Sequence, residues 1–524
     1  MLYSKGWKSG QKSLYPLILF LILLAGCDGS QQQAVKQLTI DDFKALRSSE
    51  YALHSTLIRE NLEHILRADT DDASADRRVR AYYRERHPYV WLNRQGFDQR
   101  ADTLIAELHR RISDIGFSER SFRLSQIETD LQRMRTLDFD SLRNTASRVA
   151  ARLEYNLTKA YLRYVLGQRF GFTNPNYILN RLSPIATDSL GNPLGYHHLF
   201  DVEMDHPDKN YEFFALRKVG KDSLGLYLAE VLPQDSLYLQ MKQRLPTASG
   251  SQRTRLLVNM ERRRWRRHRN PDSSRPYVVV NVPAYHLWAV SPDTVIDLRA
   301  ACGAIQTKTP LLSSYITRMD VNPEWIIPMS IISKDIAAHA GDPSYFTRRR
   351  YYIADRKTGE HISPANVTSA MLQSGKYRVA QLGGEGNSLG RIIFRFPNNF
   401  SVFLHDTSSR GVFGRDDRGV SHGCVRVQHP YELAAFLLGP EADAEKLQRL
   451  RFSMGLDETD ATEDDDRPKH GPESMLRSLS VSPRVPLFIT YYTLFQVPGG
   501  MLQTFPDVYG YDRALAAALK TYLQ

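Results

Sequence analysis

The chain changes its hydrophobic period once, and that change fixes its fold class. From Ile40 to about Leu257 apolar residues recur at helical spacing, as in Leu53, Leu57, Leu62 and Ile65, and again in Leu104, Leu108, Ile112 and Ile115. After Pro276 the pattern turns short and β-branched, beginning with Tyr277-Val278-Val279-Val280-Asn281-Val282. This order predicts an α+β protein. A helical N-terminal scaffold spans 41–257, a mostly-β domain spans 277–497, and 498–524 forms a C-terminal segment.

Asp41 and Asp42 read as a capped start to the first helical stretch. Tyr89-Val90-Trp91-Leu92 reads as an apolar turn, and Ala146 to Gly167 as an amphipathic helix. Arginines crowd the end of this region at 253, 255, 262, 263, 264, 266, 267 and 269. A helix with Leu256, Leu257, Met260 and Trp265 inward and a solvated basic face outward accounts for them. Nucleic acid, phosphate or an anionic wall polymer or lipid surface are the other partners such a face can take.

In the second region further strands are predicted at 287–290, 295–298, 392–396, 402–404, 424–427 and 485–492. Pro430 opens a helix carrying Leu433, Phe436 and Leu437. Residues from Thr309 to about Gly375 break the strand rhythm and read as an inserted lid; they hold Asn322-Pro323-Glu324-Trp325 and Arg348-Arg349-Arg350. Residues 457–466 read as a disordered acidic loop. The glycines from Gly383 to Gly390 lack the Lys-Ser/Thr ending and the spacing of a nucleotide loop, and read as a turn.

The N-terminus sets the compartment. Lys5, Lys8 and Lys12 precede the apolar run Leu14 to Leu24, and Leu24-Ala25-Gly26-Cys27 follows. A positive region, a short apolar region and small residues make a secretory signal. Leu-Ala-Gly-Cys resembles the bacterial lipobox, so residues 1–27 are expected to be a lipoprotein signal with Cys27 lipidated. Residues 28–40 are then a Gln-rich tether. An uncleaved anchor helix is the alternative, although the run is short for a span. The folded part is thus expected outside the cytoplasm, in the periplasm, on the inner or outer membrane. That placement argues against nucleic acid. The net charge of +11 then favours an anionic polymer or lipid.

Only three cysteines occur in 524 residues. With Cys27 assigned to lipid, Cys302 and Cys424 remain, either paired or free. A thiol kept free in an oxidising compartment more often has chemistry to perform. Cys424 follows Ser421-His422-Gly423, and His405 lies nearby in Phe-Leu-His-Asp. An imidazole can take a thiol proton. A glycine lets main-chain N–H groups approach a carbonyl closely. Both neighbours of His405 are apolar, so alternation leaves its face undecided.

His405, fifteen intervening residues, then Ser421-His422-Gly423-Cys424-Val425-Arg426 resembles the signature of the L,D-transpeptidases. Arg426 stands where many members carry Asn, which resembles the large branch with a helical scaffold and a lid. Asn259-Met260-Glu261-Arg262-Arg263-Arg264-Trp265, Asn322-Pro323-Glu324-Trp325, Phe396-Pro397-Asn398 and Leu404-His405-Asp406-Thr407 agree with that branch. The resemblance implies a peptidoglycan enzyme that joins stem peptides through a cysteine thioester, giving cross-links between two third-position residues. It makes Cys424 the nucleophile and His405 the proton acceptor and donor. Asp406 or a backbone carbonyl would orient the imidazole. Ser421, His422 and Gly423 would shape the oxyanion side, and Arg426 or Asp406 would meet substrate. The implied partners are donor and acceptor stem peptides and, through the lipid, a membrane. Thiol chemistry requires no metal or organic cofactor. The small wall-binding module common in such enzymes is not evident between Phe200 and Thr254.

Other readings compete. Water in place of the acceptor amine makes an L,D-carboxypeptidase. A papain-like peptidase places its cysteine before its histidine, the reverse of the order here. His405, His422, Cys424 and His429 are zinc-ligand types but lack a zinc-site spacing. A non-catalytic wall-binding lipoprotein would use Cys424 only as a core residue.

Overall fold

The computed structural model describes residues 38–220, 223–267, 275–456 and 471–524. The lipobox with Cys27, most of the tether, Arg269 and the acidic stretch 457–466 lie outside the described residues. Among the described residues no helix is long and apolar enough to cross a membrane.

The fold is α+β, as the change of period predicts. The scaffold gathers around one long helix, Ala146–Phe170. This helix was expected to be amphipathic, with a wet face; instead nearly all of it is buried. Its polar side chains are satisfied from other elements. Glu154 accepts hydrogen bonds from the main-chain N–H groups of Val90 (2.6 Å), Trp91 (3.0 Å) and Leu92 (2.9 Å), which fixes the Tyr89–Leu92 turn. Lys159 pairs with Asp71 at 2.8 Å and with Asp69, and Arg163 pairs with Asp76 at 2.6 Å. A buried charge persists only when so paired. At the start of the scaffold Thr39 and Asp42 form a capping box on the Ile40–Lys44 helix.

The mostly-β domain is built on β1 (Tyr277–Asn281), β2 (His286–Val290), β3 (Val295–Gly303), β4 (Leu311–Val321), β5 (Ile392–Arg395), β6 (Leu404–His405), β7 (Gly419–Ser421), β8 (Val425–Val427) and β9 (Ser478–Thr490). Their order is β5-β6-β8-β3-β2-β1-β9-β4, and β4 pairs back onto β5, so the sheet closes on itself. Short β7 runs parallel to the end of β3. Inward residues such as Val278, Val280, Leu298, Ala300, Leu404 and Val425 pack with Leu433, Ala434 and Leu437 of the Pro430–Leu438 helix. The same apolar core continues without a break into the scaffold helices.

The lid starts later than expected. Leu311–Val321 is not part of an insertion but an 11-residue strand of the main sheet. Ser314, Thr317 and Arg318 interrupt its apolar alternation and hide it. The inserted unit is a separate antiparallel sheet ordered His361–Ile362, Tyr351–Asp355, Tyr377–Gln381, Trp325–Ile326. It has its own core of Ile327, Ile332, Ile336, Phe346, Ile353, Leu372 and Val379. Asn322 (φ +47°) and Gly390 (φ +64°) stand where the chain enters and leaves it.

The arginine-rich helix, Gly250–Arg264, also departs from expectation. It has no solvated basic face in its second half: Arg262 and Arg264 are 3% and 0% exposed. The helix packs between the long scaffold helix and the last helix of the chain, and its cations are met from both the scaffold and that last helix. Arg264 binds Glu261 (3.2 Å), Gln168 (3.1 Å) and the Tyr238 hydroxyl (3.1 Å). Arg262 pairs with Asp512 at 2.6 Å and Arg263 with Asp235 at 2.9 Å. Asp512 belongs to the last helix, Tyr511–Leu523, which returns to the scaffold: Ser121 Oγ donates to the Thr521 carbonyl at 2.8 Å.

Candidate active site

The histidine whose face the sequence left open is aimed by strand register. β6 runs parallel to β8, with Leu404 opposite Val425 and His405 opposite Arg426. Register partners present their side chains to the same face. Leu404 and Val425 point into the core, at 0% and 1% exposed. His405 and Arg426 therefore share the other face. Cys424, two residues before Arg426, falls on that face as well. The next strand places Ala301 opposite Arg426, and Ala301 packs there with Val412, Phe413 and Val420. An apolar patch thus borders the three polar groups.

His405 is buried, and its Nδ1 donates to the Asp406 main-chain carbonyl. That bond leaves Nε2 as the basic nitrogen. The ring is oriented by the carbonyl rather than by the Asp406 carboxylate. The carboxylate accepts the Arg391 N–H at 2.8 Å and faces Arg410 at 3.5 Å, so Asp406 holds the turn at Gly390. The Leu389 carbonyl also faces the imidazole. Burial, then the neighbouring Arg426 charge, push the His405 pKa down to about 4. Burial pushes the Cys424 thiol up to about 11, opposed by the Phe403 main-chain N–H and by Arg426. Near neutral pH the site therefore holds a neutral thiol and a neutral imidazole.

The cysteine turn is braced from within. Ser421 Oγ donates to the Cys424 carbonyl at 2.5 Å and accepts the Gly423 N–H at 3.1 Å. Gly423 takes φ +118°, a conformation open to glycine and strained for other residues. His422 is exposed at the tip of the turn. Arg418 anchors the strand before it, donating to the carbonyls of Ala300 (3.0 Å), Arg415 (2.7 Å) and Tyr285 (2.9 Å).

Arg426 has no ion pair among the described residues, and its buried Nε has no hydrogen-bond partner. It is a charge-assisted donor that the fold itself leaves without an acceptor. Cys302 and Cys424 are both free thiols; Cys302 lies wholly in the core. Among the described residues no group of three or more His, Cys, Asp or Glu is placed to hold a metal ion, the set at 405, 422, 424 and 429 included. Sequence reasoning missed the Phe403 amide and Arg418. A main-chain donor carries no residue signature, and Arg418 shows only as one more arginine.

Residues 275–455, which contain this face, match the model of the L,D-transpeptidase catalytic domain. The segment is an L,D-transpeptidase catalytic domain. Residues 77–245 match the model named Scaffold domain, which covers most of the helical region. A Haemophilus influenzae protein provisionally named an L,D-transpeptidase is 29% identical over 336 residues, covering 62% of this chain. The chain spans 63% of the length of that relative. The resemblance read from His405 and Ser421–Arg426 is thus met by a family match over residues 275–455, which ends before β9.

Proposed function

We propose that this chain is a peptidoglycan L,D-transpeptidase that forms cross-links between third-position residues through a Cys424 thioester. The observation that carries the reading is the shared face of Cys424, His405 and Arg426, set by the β6–β8 register. His405 Nε2 takes the thiol proton as Sγ attacks the carbonyl of the third stem residue. The adduct's negative oxygen is met by main-chain N–H groups of the braced turn. On collapse the carbon–nitrogen bond breaks, the imidazolium gives its proton to the departing D-residue amine, and a thioester remains. The amine of a second stem then attacks. It loses its proton to His405, and the thiol is regenerated.

A resting neutral pair suits this sequence, since proton transfer accompanies attack instead of preceding it. The unpartnered Arg426 Nε offers a place for a stem carboxylate. The basic start, short apolar run and Leu24-Ala25-Gly26-Cys27 support a periplasmic, lipid-anchored enzyme.

The test is incubation with a disaccharide-tetrapeptide, with mass analysis of protein and products. The expected result is an adduct on Cys424 that lacks the terminal D-residue, followed by cross-linked dimer. Dimer absent and tripeptide released would make the chain an L,D-carboxypeptidase. No adduct on a thiol that still alkylates would sink the acyl-transfer reading. Incorporation of labelled palmitate that is lost in Cys27→Ala checks the anchor.

A further inference from the structure

Residues distant in sequence hold the Cys424 turn from outside. The Gly423 carbonyl accepts a hydrogen bond from Thr309 Oγ1 at 2.9 Å, and that oxygen accepts the Gly303 N–H at 2.8 Å. The Tyr509 hydroxyl closes the same loop from its other side. It donates to the Gly303 carbonyl at 2.7 Å and accepts the Thr309 N–H at 3.1 Å. Thr309 and Tyr509 are 0% and 6% exposed, so these bonds form away from water. The loop is tightly folded: a Cβ on Gly303 would lie 2.0 Å from the Thr307 carbonyl oxygen.

The peptide unit between Gly423 and Cys424 is planar, and its C=O and N–H point in opposite directions. Fixing the Gly423 carbonyl on Thr309 therefore fixes where the Cys424 N–H points. That N–H is a donor available to the oxyanion formed on a carbonyl when Sγ adds to its carbon.

Tyr509 is itself tied to the scaffold. Its N–H donates to the Tyr491 hydroxyl (2.8 Å), which donates to Asp507 (2.6 Å). Asp507 accepts the N–H of Asp512 at 3.0 Å, and Asp512 pairs with Arg262 of the Gly250–Arg264 helix. Thr493 donates to Asp512 at 2.6 Å and accepts Asn259 Nδ2 at 2.8 Å. A continuous hydrogen-bonded series runs from the docked scaffold helix to the peptide bond before the nucleophile. Residues 491–524 lie outside both matched domains.

We propose that Tyr509 is a positioning residue for the Cys424 turn, acting through Gly303 and Thr309 to set the plane of the Gly423–Cys424 peptide. The proposal rests on the reading of Cys424 as the nucleophile. Thr309 is the second member of the device. The C-terminal segment serves the reaction by carrying Tyr509 to the turn.

The test uses the full chain with Tyr509→Phe, Thr309→Val, Thr309→Ser and, as control, Tyr511→Phe. Tyr511 is equally buried, two residues away, and its hydroxyl has no hydrogen-bond partner among the described residues. Acylation by disaccharide-tetrapeptide is followed by mass, and Cys424 alkylation by iodoacetamide is followed across pH. Tyr509→Phe and Thr309→Val are expected to lower the saturating acylation rate about 10- to 100-fold with KM held. Thr309→Ser should restore most of the rate, Tyr511→Phe should keep it, and Tyr509→Phe combined with Thr309→Val should fall no further than Thr309→Val alone. Wild-type acylation in Tyr509→Phe and Thr309→Val overturns the proposal. So does an equal fall in Tyr511→Phe, which would mark a general loosening. If wild type alkylates but never acylates, the nucleophile reading fails instead. Unchanged alkylation profiles in the two variants would then reject the positioning role separately. Should Tyr509→Phe fail to fold, the comparison of Thr309→Val with Thr309→Ser decides.

Discussion

His405 and Arg426 are direct register partners, so a buried imidazole stands beside a guanidinium whose Nε is unpartnered. The arginine charge acts on both working groups. It disfavours a second positive charge on His405 and favours a negative one on Cys424. Arg426→Gln should therefore raise the His405 pKa above about 4 and push the Cys424 thiol beyond about 11. Histidine NMR shifts and the pH dependence of iodoacetamide alkylation read the two directions. If Arg426 also holds a stem carboxylate, KM should rise by about 10- to 100-fold, the worth of one charged hydrogen bond. A KM equal to wild type would leave Arg426 an electrostatic role alone.

The depressed His405 pKa makes a stability prediction with a defined sign. The unfolded chain binds a proton at this histidine near pH 6.5, whereas the folded protein resists it until about pH 4. As pH falls through that window the unfolded state binds more protons, so stability is lost. The loss attributable to this one group is about 3 kcal/mol. The lowered carboxylates Asp69 and Asp71 titrate below 3.8 and act in a lower window. Urea unfolding of wild type and His405→Asn at pH 7, 5.5 and 4.5 should show a steeper acid decline in wild type. Parallel declines would mean the imidazole is solvated.

Ser421 should matter through its hydroxyl and not through its size. Ser421→Ala removes the donor to the Cys424 carbonyl and the acceptor for the Gly423 N–H. Leaving that buried amide unsatisfied costs about 1–3 kcal/mol. The acylation rate should fall with stability, because the turn that presents the thiol is loosened. Ser421→Thr keeps the hydroxyl and should retain most of both. Thermal melts and acylation rates on the pair separate the hydroxyl from the rest of the side chain.

Different parts of this molecule were legible for different reasons. The chemistry proposed at Cys424 could be suggested from sequence because cysteine, glycine and histidine lie within one short stretch of chain. The aim of His405 was not, since Phe403 and Leu404 are both apolar and only pairing with β8 separates their faces. Strand Leu311–Val321 was mistaken for lid because Ser314 and Thr317 spend their hydroxyls on the Pro397 and Arg395 carbonyls, contacts invisible in a hydropathy pattern. The basic helix was misread because its anions and acceptors come from Gln168, Asp235 and Asp512, far off in the chain. Tyr509 and Thr309 stand 200 residues apart and belong to no motif.

The burial of that helix yields the strongest stability prediction. Arg264 is fully buried and carries its charge against Glu261, also 0% exposed. Its other nitrogens bind Gln168 and Tyr238, so three scaffold elements meet on one guanidinium. Arg264→Ala would leave the buried Glu261 side chain without its cation and open a void beside Phe117 and Phe172, whose rings the guanidinium covers. Removing one partner of a buried pair costs about 3–5 kcal/mol. An exposed arginine such as Arg110, 58% exposed at its side chain, should cost less than about 1 kcal/mol when replaced by alanine. Denaturant midpoints of Arg264→Ala and Arg110→Ala test this directly. Equal midpoints would mean that the Gly250–Arg264 helix is wet along this side.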